Sequence, residues 1–186
     1  MKKIVLNLIV ILMTCMSFVS CAYERVDAGC EGIYVNLYGD DKGVGEVSLC
    51  SGAVWYCPLT HDVYEYPTYI QTVDYPSFEV NSKDGTKFTV DPAVLVKIED
   101  GKSPLIFKKY RKQLEEIVKN TLYVYIRDAA RIEFNKYTAD QIVSNREAVD
   151  KSFEERVRKL FASEHFILQQ LTPRIVYPKS YEDAIN

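Results

Sequence analysis

Residues 82–118 read SKDGTKFTVDPAVLVKIEDGKSPLIFKKYRKQLEEIV, and the hydrophobic period changes inside this stretch. Ser82-Lys83-Asp84-Gly85-Thr86 signals a hairpin, because Asp-Gly supplies the positive φ that a tight turn requires. Phe88, Val90, Val94, Val96 and Ile98 then share one phase at period two, with Thr89, Asp91 and Lys97 opposite, which predicts a strand buried on one face. Pro92 within it predicts an edge strand or a bulge. From Ser103, read as an N-cap with Pro104 at N1, the period is helical: Tyr110, Leu114, Ile117, Val118, Leu122, Tyr125, Ile126 and Ala129 recur at three and four residues. Strands followed by helices predict an α+β chain.

Upstream, residues 32–100 read as β. Residues 33–37 are bounded by Gly32 and Gly39, with a turn over 39–43, and short extended runs follow at 44–49, 53–56, 63–66, 68–73 and 78–80. Pro58, Pro67 and Pro76 limit central pairing among them. Downstream, Asn135-Lys136-Tyr137 breaks the helix, and Thr138 with Gln141 is a capping box that opens a short helix. Ser144 with Glu147 reads as a second capping box, ahead of an apolar stripe of Val149, Phe153, Val157 and Leu160 that ends near His165. Residues 166–177 return to extended character, with Ile167, Leu171 and Ile175 on one side, before Pro178 and Ser180 announce another helix. The expected organisation is a leader over 1–20, a tether over 21–27, an antiparallel β-rich lobe over 28–102, and an α/β lobe over 103–186 with two main helices and a late strand.

The amino terminus sets the compartment. Residues 1–21, MKKIVLNLIVILMTCMSFVSC, carry Lys2 and Lys3 ahead of an apolar run over 4–13, the pattern of an export signal. Phe18-Val19-Ser20-Cys21 resembles a bacterial lipobox, which makes Cys21 the expected lipid attachment and the protein a bacterial-type cell-envelope lipoprotein of the inner or outer membrane. Ala22-Tyr23 lacks an Asp retention residue, which points toward the outer membrane. The alternative is an uncleaved anchor over 4–20, at the short limit for a membrane span. Removing residues 1–20 leaves 166 residues, enough for a core without disulfide staples, and takes the formal net charge from −3 to −5. That charge excludes a strong basic field for nucleic acid. Fourteen Tyr and 8 Phe suggest a β-rich surface or a self-association face.

Export changes the reading of the remaining cysteines. Cys30, Cys50 and Cys57 are odd in number, and Cys50 and Cys57 flank Ser51-Gly52, so a disulfide across a hairpin between them is the candidate, with three small buried thiols as the alternative. Together with His61 they lack the CxxC or HxxxH spacing of a zinc site, and no cofactor is expected. His61 and His165 lie in no nucleophile elbow or HExxH frame. His61 reads as a loop residue satisfied by its neighbours and His165 as a helix C-terminal residue that meets the dipole. A thiol oxidoreductase or hydrolase built on Cys50, Cys57 and His61 is the weakest of three functional readings. Trp55 is expected as an anchor of the β-lobe core or as a lipid-interface residue.

Taken in order, several segments resemble the SPFH family, also called band 7 or prohibitin-like, of stomatins, prohibitins and flotillins. Residues 28–35, AGCEGIYV, look like its opening aGxxGV strand, and residues 52–58, GAVWYCP, like its Gxhxxxxp turn ahead of Tyr66-Pro67-Thr68. Residues 83–91, KDGTKFTVD, are similar to the TxDgxxvxvd hairpin. Ile126-Arg127, the turn over 138–143 and Asn145-Arg146-Glu147-Ala148-Val149 are similar to tlxelixxRxxv, and Pro178, Tyr181, Ala184 and Ile185 match P..y..AI. The resemblance implies an SPFH-like α+β fold and a scaffold rather than an enzyme. Such proteins sit on a membrane through an amino-terminal anchor and associate laterally into rings or cages that enclose lipid and sometimes a membrane protease. The family usually continues into a coiled coil, whereas this sequence stops at Asn186, which implies a reduced form or a longer SPFH partner. The implied partners are membrane lipid, further copies of the chain and a membrane protease. The competing reading is a surface lipoprotein that binds a small ligand or partner protein on a Tyr-rich β-lobe.

Overall fold

The computed structural model describes residues 22–38 and 47–176. The expected leader, the lipid-bearing Cys21, the turn over 39–43 and the Pro178–Ile185 motif lie outside the described residues. The chain divides into two compact units at Tyr66 and Pro67. That is earlier than the boundary at 102/103 read from the change in period, because a change of period marks a change of element and not of core.

The first unit is all β among the described residues. It contains β1 (Ala22–Val26), β2 (Cys30–Asn36), β3 (Val47–Cys50), β4 (Gly52–Tyr56) and β5 (His61–Pro67). Residues 22–26, expected as part of a tether, form β1 and pair antiparallel with β4, Ala22 opposite Tyr56 and Val26 opposite Gly52. A three-stranded sheet has the order β3-β2-β5, with β2 and β3 antiparallel. Val26, Ile33, Val35, Val63 and Tyr66 are the buried apolar residues. Gly32 lies opposite Cys50, and a Cβ there would sit 2.5 Å from both Cys50 Sγ and Val26 Cγ2 and 2.9 Å from the Cys50 carbonyl, so the close approach requires glycine.

The second unit is built on β8 (Lys87–Ile98), whose Phe88, Val90, Val94, Val96 and Ile98 are buried as their alternation predicts. β6 (Gln71–Asp74) and β7 (Phe78–Asn81) pair with β8 at 93–96 and 87–90, and β9 (Phe166–Val176) pairs along 89–98. β8 is therefore central, not an edge. Pro92 is tolerated there because its carbonyl accepts the Tyr75 N–H (3.1 Å) between the segments paired to β6 and β7, so its missing donor falls where the neighbouring strand changes. The irregularity lies instead in β9: Leu95 faces Gln170 and Val96 faces Leu168, which leaves Gln169 unpaired. One extra residue shifts the alternation, so Phe166 and Leu168 are buried before the bulge and Leu171 and Ile175 after it, with Ile167 outside this set.

The helices are α1 (Ser103–Tyr110), α2 (114–134), α3 (Ala139–Ser144) and α4 (Arg146–Ser163), with α2 and α4 the two main ones. α1 and α2 are separate because Arg111 takes a left-handed conformation (φ 51°). Ser103 is the first residue inside α1 and Lys102 its N-cap, so the serine does not cap as expected. The Thr138–Gln141 capping box is formed as read. That of Ser144–Glu147 is not, because Ser144 ends α3 and Asn145 precedes α4 without a side-chain cap bond. In α4 the buried stripe is Val149, Phe153, Val157 and Phe161, a strict four-residue step that passes over Leu160. α4 packs on β9, and α2 packs on β7 and α4. α2 is wound as a π-helix over Ile117–Leu122, where the Val118 carbonyl accepts the buried Tyr75 hydroxyl at 2.8 Å. The Asp-Gly turn forms the β7–β8 hairpin with Gly85 at φ 83°, and Asp84 Oδ2 accepts the first α3 N–H, that of Ala139, at 3.2 Å. The Ser82 hydroxyl, followed by such backbone donors, holds the Asp84 carboxyl below its usual range.

Candidate membrane-facing ribbon

The β1–β4 ribbon alternates in burial, and its outward face carries two large aromatic rings beside a single charge. Val26 turns inward, and Tyr23, Arg25, Ala53 and Trp55 turn outward. Tyr23 and Trp55 are directly paired in the register, with ring centroids 5.0 Å apart and planes tilted by 55°. Trp55 is 70% exposed and Tyr23 53%, so the tryptophan is not the core anchor that was one expectation for it. Ala22 follows Cys21 directly, and Ala22 lies opposite Tyr56, so the turn after β4 shares the end of the ribbon at which the chain enters from Cys21. That turn carries Leu59, 69% exposed, and the Leu37 N–H donates to the Thr60 carbonyl (2.8 Å), which brings exposed Leu37 and Tyr38 to the same place. Three aromatic rings, two leucines and an arginine in this region are side chains that partition into a headgroup region. Tyr23 falls in the segment that the sequence predicts as a tether over 21–27, so nothing there singles it out.

Cys50 and Cys57 do not meet across a hairpin. β3 pairs with β2 and β4 with β1, so the strands on either side of Ser51-Gly52 go to different partners, and none of Cys30, Cys50 and Cys57 is in a disulfide. Burial pushes the Cys30 and Cys50 thiols up, Cys30 further through Glu65 and Cys50 through Glu24, so neither is an activated nucleophile. Among the described residues no three His, Cys, Asp or Glu side chains stand close enough to hold a metal ion. His61 is the first residue of β5 and not a loop residue, and neighbours satisfy it as expected: it stacks on Tyr34 at 4.7 Å and its Nδ1 meets Thr60 Oγ1 at 2.8 Å. His165 follows α4 in a left-handed conformation (φ 63°), with Nδ1 3.3 Å from Glu99 Oε2.

The second unit holds one buried carboxylate, Glu133, and one partly buried, Glu164, both fastened by neighbours. Glu133 in α2 accepts from Lys136 Nζ at 2.8 and 2.9 Å and from Arg156 Nε of α4. Burial pushes its carboxyl up, and Lys136 and Arg156 outweigh this and hold it below the usual range. Glu164, just past α4, accepts from Lys109 Nζ at 2.5 Å and Tyr110 OH at 2.6 Å, and Tyr125 OH lies 3.3 Å from its other oxygen. Burial, then Glu164, pushes the Tyr110 hydroxyl far above its ordinary value, so it stays neutral at pH 7. This cluster ties α1 and α2 to the end of α4.

The SPFH domain / Band 7 family matches residues 24–186, nearly all of the chain after Cys21. The protein belongs to this family, as the ordered motifs and the α+β fold imply. Its members generally associate with membranes, oligomerise and act as scaffolds. No curated protein matches the chain. Among the described residues no helix is long and apolar enough to cross a membrane.

Proposed function

We propose that this protein is a lipid-anchored SPFH scaffold of a bacterial cell envelope, attached through diacylated Cys21, that gathers laterally with further copies and organises the lipids and proteins around it. A membrane protease is the client class that the family resemblance implies. The observation that carries the reading is the ribbon: Tyr23 and Trp55 stand exposed on the strand pair that follows the anchor cysteine. One lipid-modified residue binds a bilayer only marginally, and interfacial aromatics together with several anchored copies turn weak attachment into stable attachment.

The test uses the membrane-extracted protein returned to vesicles. Mass spectrometry of the amino-terminal peptide should find the diacylglyceryl mass on Cys21. Trp55 is the only tryptophan, so its emission reports the ribbon alone. It should be quenched by lipids brominated near the headgroup and protected from iodide. A Trp55 open to iodide and untouched by brominated lipid would remove the ribbon from the bilayer, and an unmodified Cys21 would remove the anchor.

A further inference from the structure

The sheet of the second unit has two unlike edges. Along β9 the backbone is guarded: Pro173 offers no donor, Gln169 bulges, and Arg158 Nη1 donates to the Leu168 carbonyl at 2.8 Å. β7, at the other edge, contains neither proline nor bulge. Its outward groups follow from the hairpin. The Ser82 N–H donates to the Thr86 carbonyl (2.9 Å), so bonded pairs alternate from 82/86 to 80/88 and 78/90, and the backbone groups of Glu79 and Asn81 point away from β8. Among the described residues nothing bonds to them.

These groups open into a groove of about 480 Å³ between β7 and α2, lined by Glu79, Val80, Asn81, Asp128, Arg131 and Ile132, with Asn135 at its end. Val124 and Ile132 on α2 are 42% and 48% exposed, and among the described residues neither Asp128 nor Arg131 has an ion-pair partner. An unpartnered acid and an unpartnered base three residues apart on one helix form a self-complementary pattern. Set antiparallel about a two-fold axis between residues 129 and 130, each Asp128 faces Arg131 of the other copy, and the Ile132 side chain covers the stem of Arg127.

We infer that the β7–α2 face is the contact between two copies of this chain, made by antiparallel pairing of β7 with β7 and by reciprocal Asp128–Arg131 ion pairs. The inference rests on the scaffold reading for its purpose and on the open edge and charge pattern for its geometry. Two joined copies carry two anchors, which strengthens membrane attachment without new contacts to lipid.

The intact chain in mild detergent is examined by sedimentation across a range of concentrations. Asp128→Arg and Arg131→Asp should each weaken self-association about tenfold or more, since each removes two ion pairs and sets like charges together. The double variant D128R/R131D restores both pairs with reversed polarity and should return to within about threefold of the parent. All three changes are exposed and leave the core alone. Glu79→Pro, which removes an outward donor without touching the β8 ladder, should also dissociate the pair at unchanged circular dichroism. If the single charge variants associate like the parent, or the double variant is no better than the singles, the two-copy contact is wrong while an oligomeric scaffold stands. A parent chain that is monomeric throughout with nothing bound overturns both. A monomeric parent that holds another protein, lost on Glu79→Pro, gives the groove to a foreign strand and likewise overturns the two-copy contact.

Discussion

The two units use large apolar side chains in opposite ways. In the second, Phe88, Phe134, Phe153, Phe161 and Phe166 are fully buried, and the described helices and the long β8–β9 ladder share their core. In the first, the buried set is small, and Trp55, Tyr23, Tyr38 and Leu59 stand in the open. A fully buried aromatic contributes several kcal/mol to stability, whereas an exposed one contributes a fraction of that, so these side chains add little to the fold and are free to touch what lies outside it. The second unit carries the larger apolar core, and the first keeps its only tryptophan outside one. The difference can be measured because each has its own reporter: all described helices belong to the second unit, and the single tryptophan belongs to the first.

The largest expected effect tests the core side of this contrast. Phe153 packs edge-on against Phe134, centroids 6.1 Å apart, and both are inaccessible. Phe153→Ala should cost about 3–5 kcal/mol. In urea the helical circular-dichroism transition should move to lower concentration while the Trp55 fluorescence transition stays in place. A joint shift of both would show that the two units unfold as one.

Gly32→Ala applies the reverse test. The added methyl meets Cys50 Sγ, Val26 Cγ2 and the Cys50 carbonyl, and the backbone carbonyl cannot swing aside. A cost of about 1–3 kcal/mol is expected, read in the Trp55 transition and not in the helical one, with Cys50 becoming more accessible to a thiol reagent. An unchanged fluorescence midpoint would mean that the first unit relaxes more freely than its packing indicates.

Much of the second unit was legible in the sequence because its signals are local. Five residues alternate along β8, and a capping box spans four residues at Thr138–Gln141. What escaped was set by residues far apart. β1 is a strand only because β4 lies beside it, and the face of β9 changes only because Gln169 finds no partner on β8. Ser103 and Ser144 have the right chemistry for caps, but the N-caps are their neighbours Lys102 and Asn145, each one residue away. Of the candidate site, Cys21 and Trp55 could be singled out from sequence, while the pairing of Trp55 with Tyr23 required the register. The β7–α2 groove had no local signature, since its acid and base look like any solvated helix face until the open edge is seen beside them.

Glu133 gives a smaller effect with a pH signature. Glu133→Gln removes the charge shared by Lys136 and Arg156 and should cost about 1–2 kcal/mol at pH 7, read in the helical transition. Because the folded-state carboxyl is held below the ordinary glutamate value of about 4.3, its contribution is complete above that pH and is lost as pH falls through the lower folded-state value. The gap between parent and variant should therefore narrow below about pH 4. A gap that persists at acid pH would make the loss one of shape rather than charge.

The smallest expected effect bears hardest on the comparison. Trp55→Ala removes the largest side chain in the protein, yet most of its surface is already in water, and within the ribbon it loses its tilted contact with Tyr23. A cross-strand aromatic pair of this kind is worth about 0.2–1 kcal/mol, so the first unit should be destabilised by no more than that. With tryptophan gone the reporter is lost, and the transition is followed instead by amide exchange at Ile33 and Val35, buried in β2. Exchange accelerated by no more than about fivefold there, beside weakened vesicle binding, would separate the two uses of an aromatic within one molecule. Exchange accelerated by a hundredfold, about 2.7 kcal/mol, would show that Trp55 supports the fold after all and that the contrast between the units is one of degree.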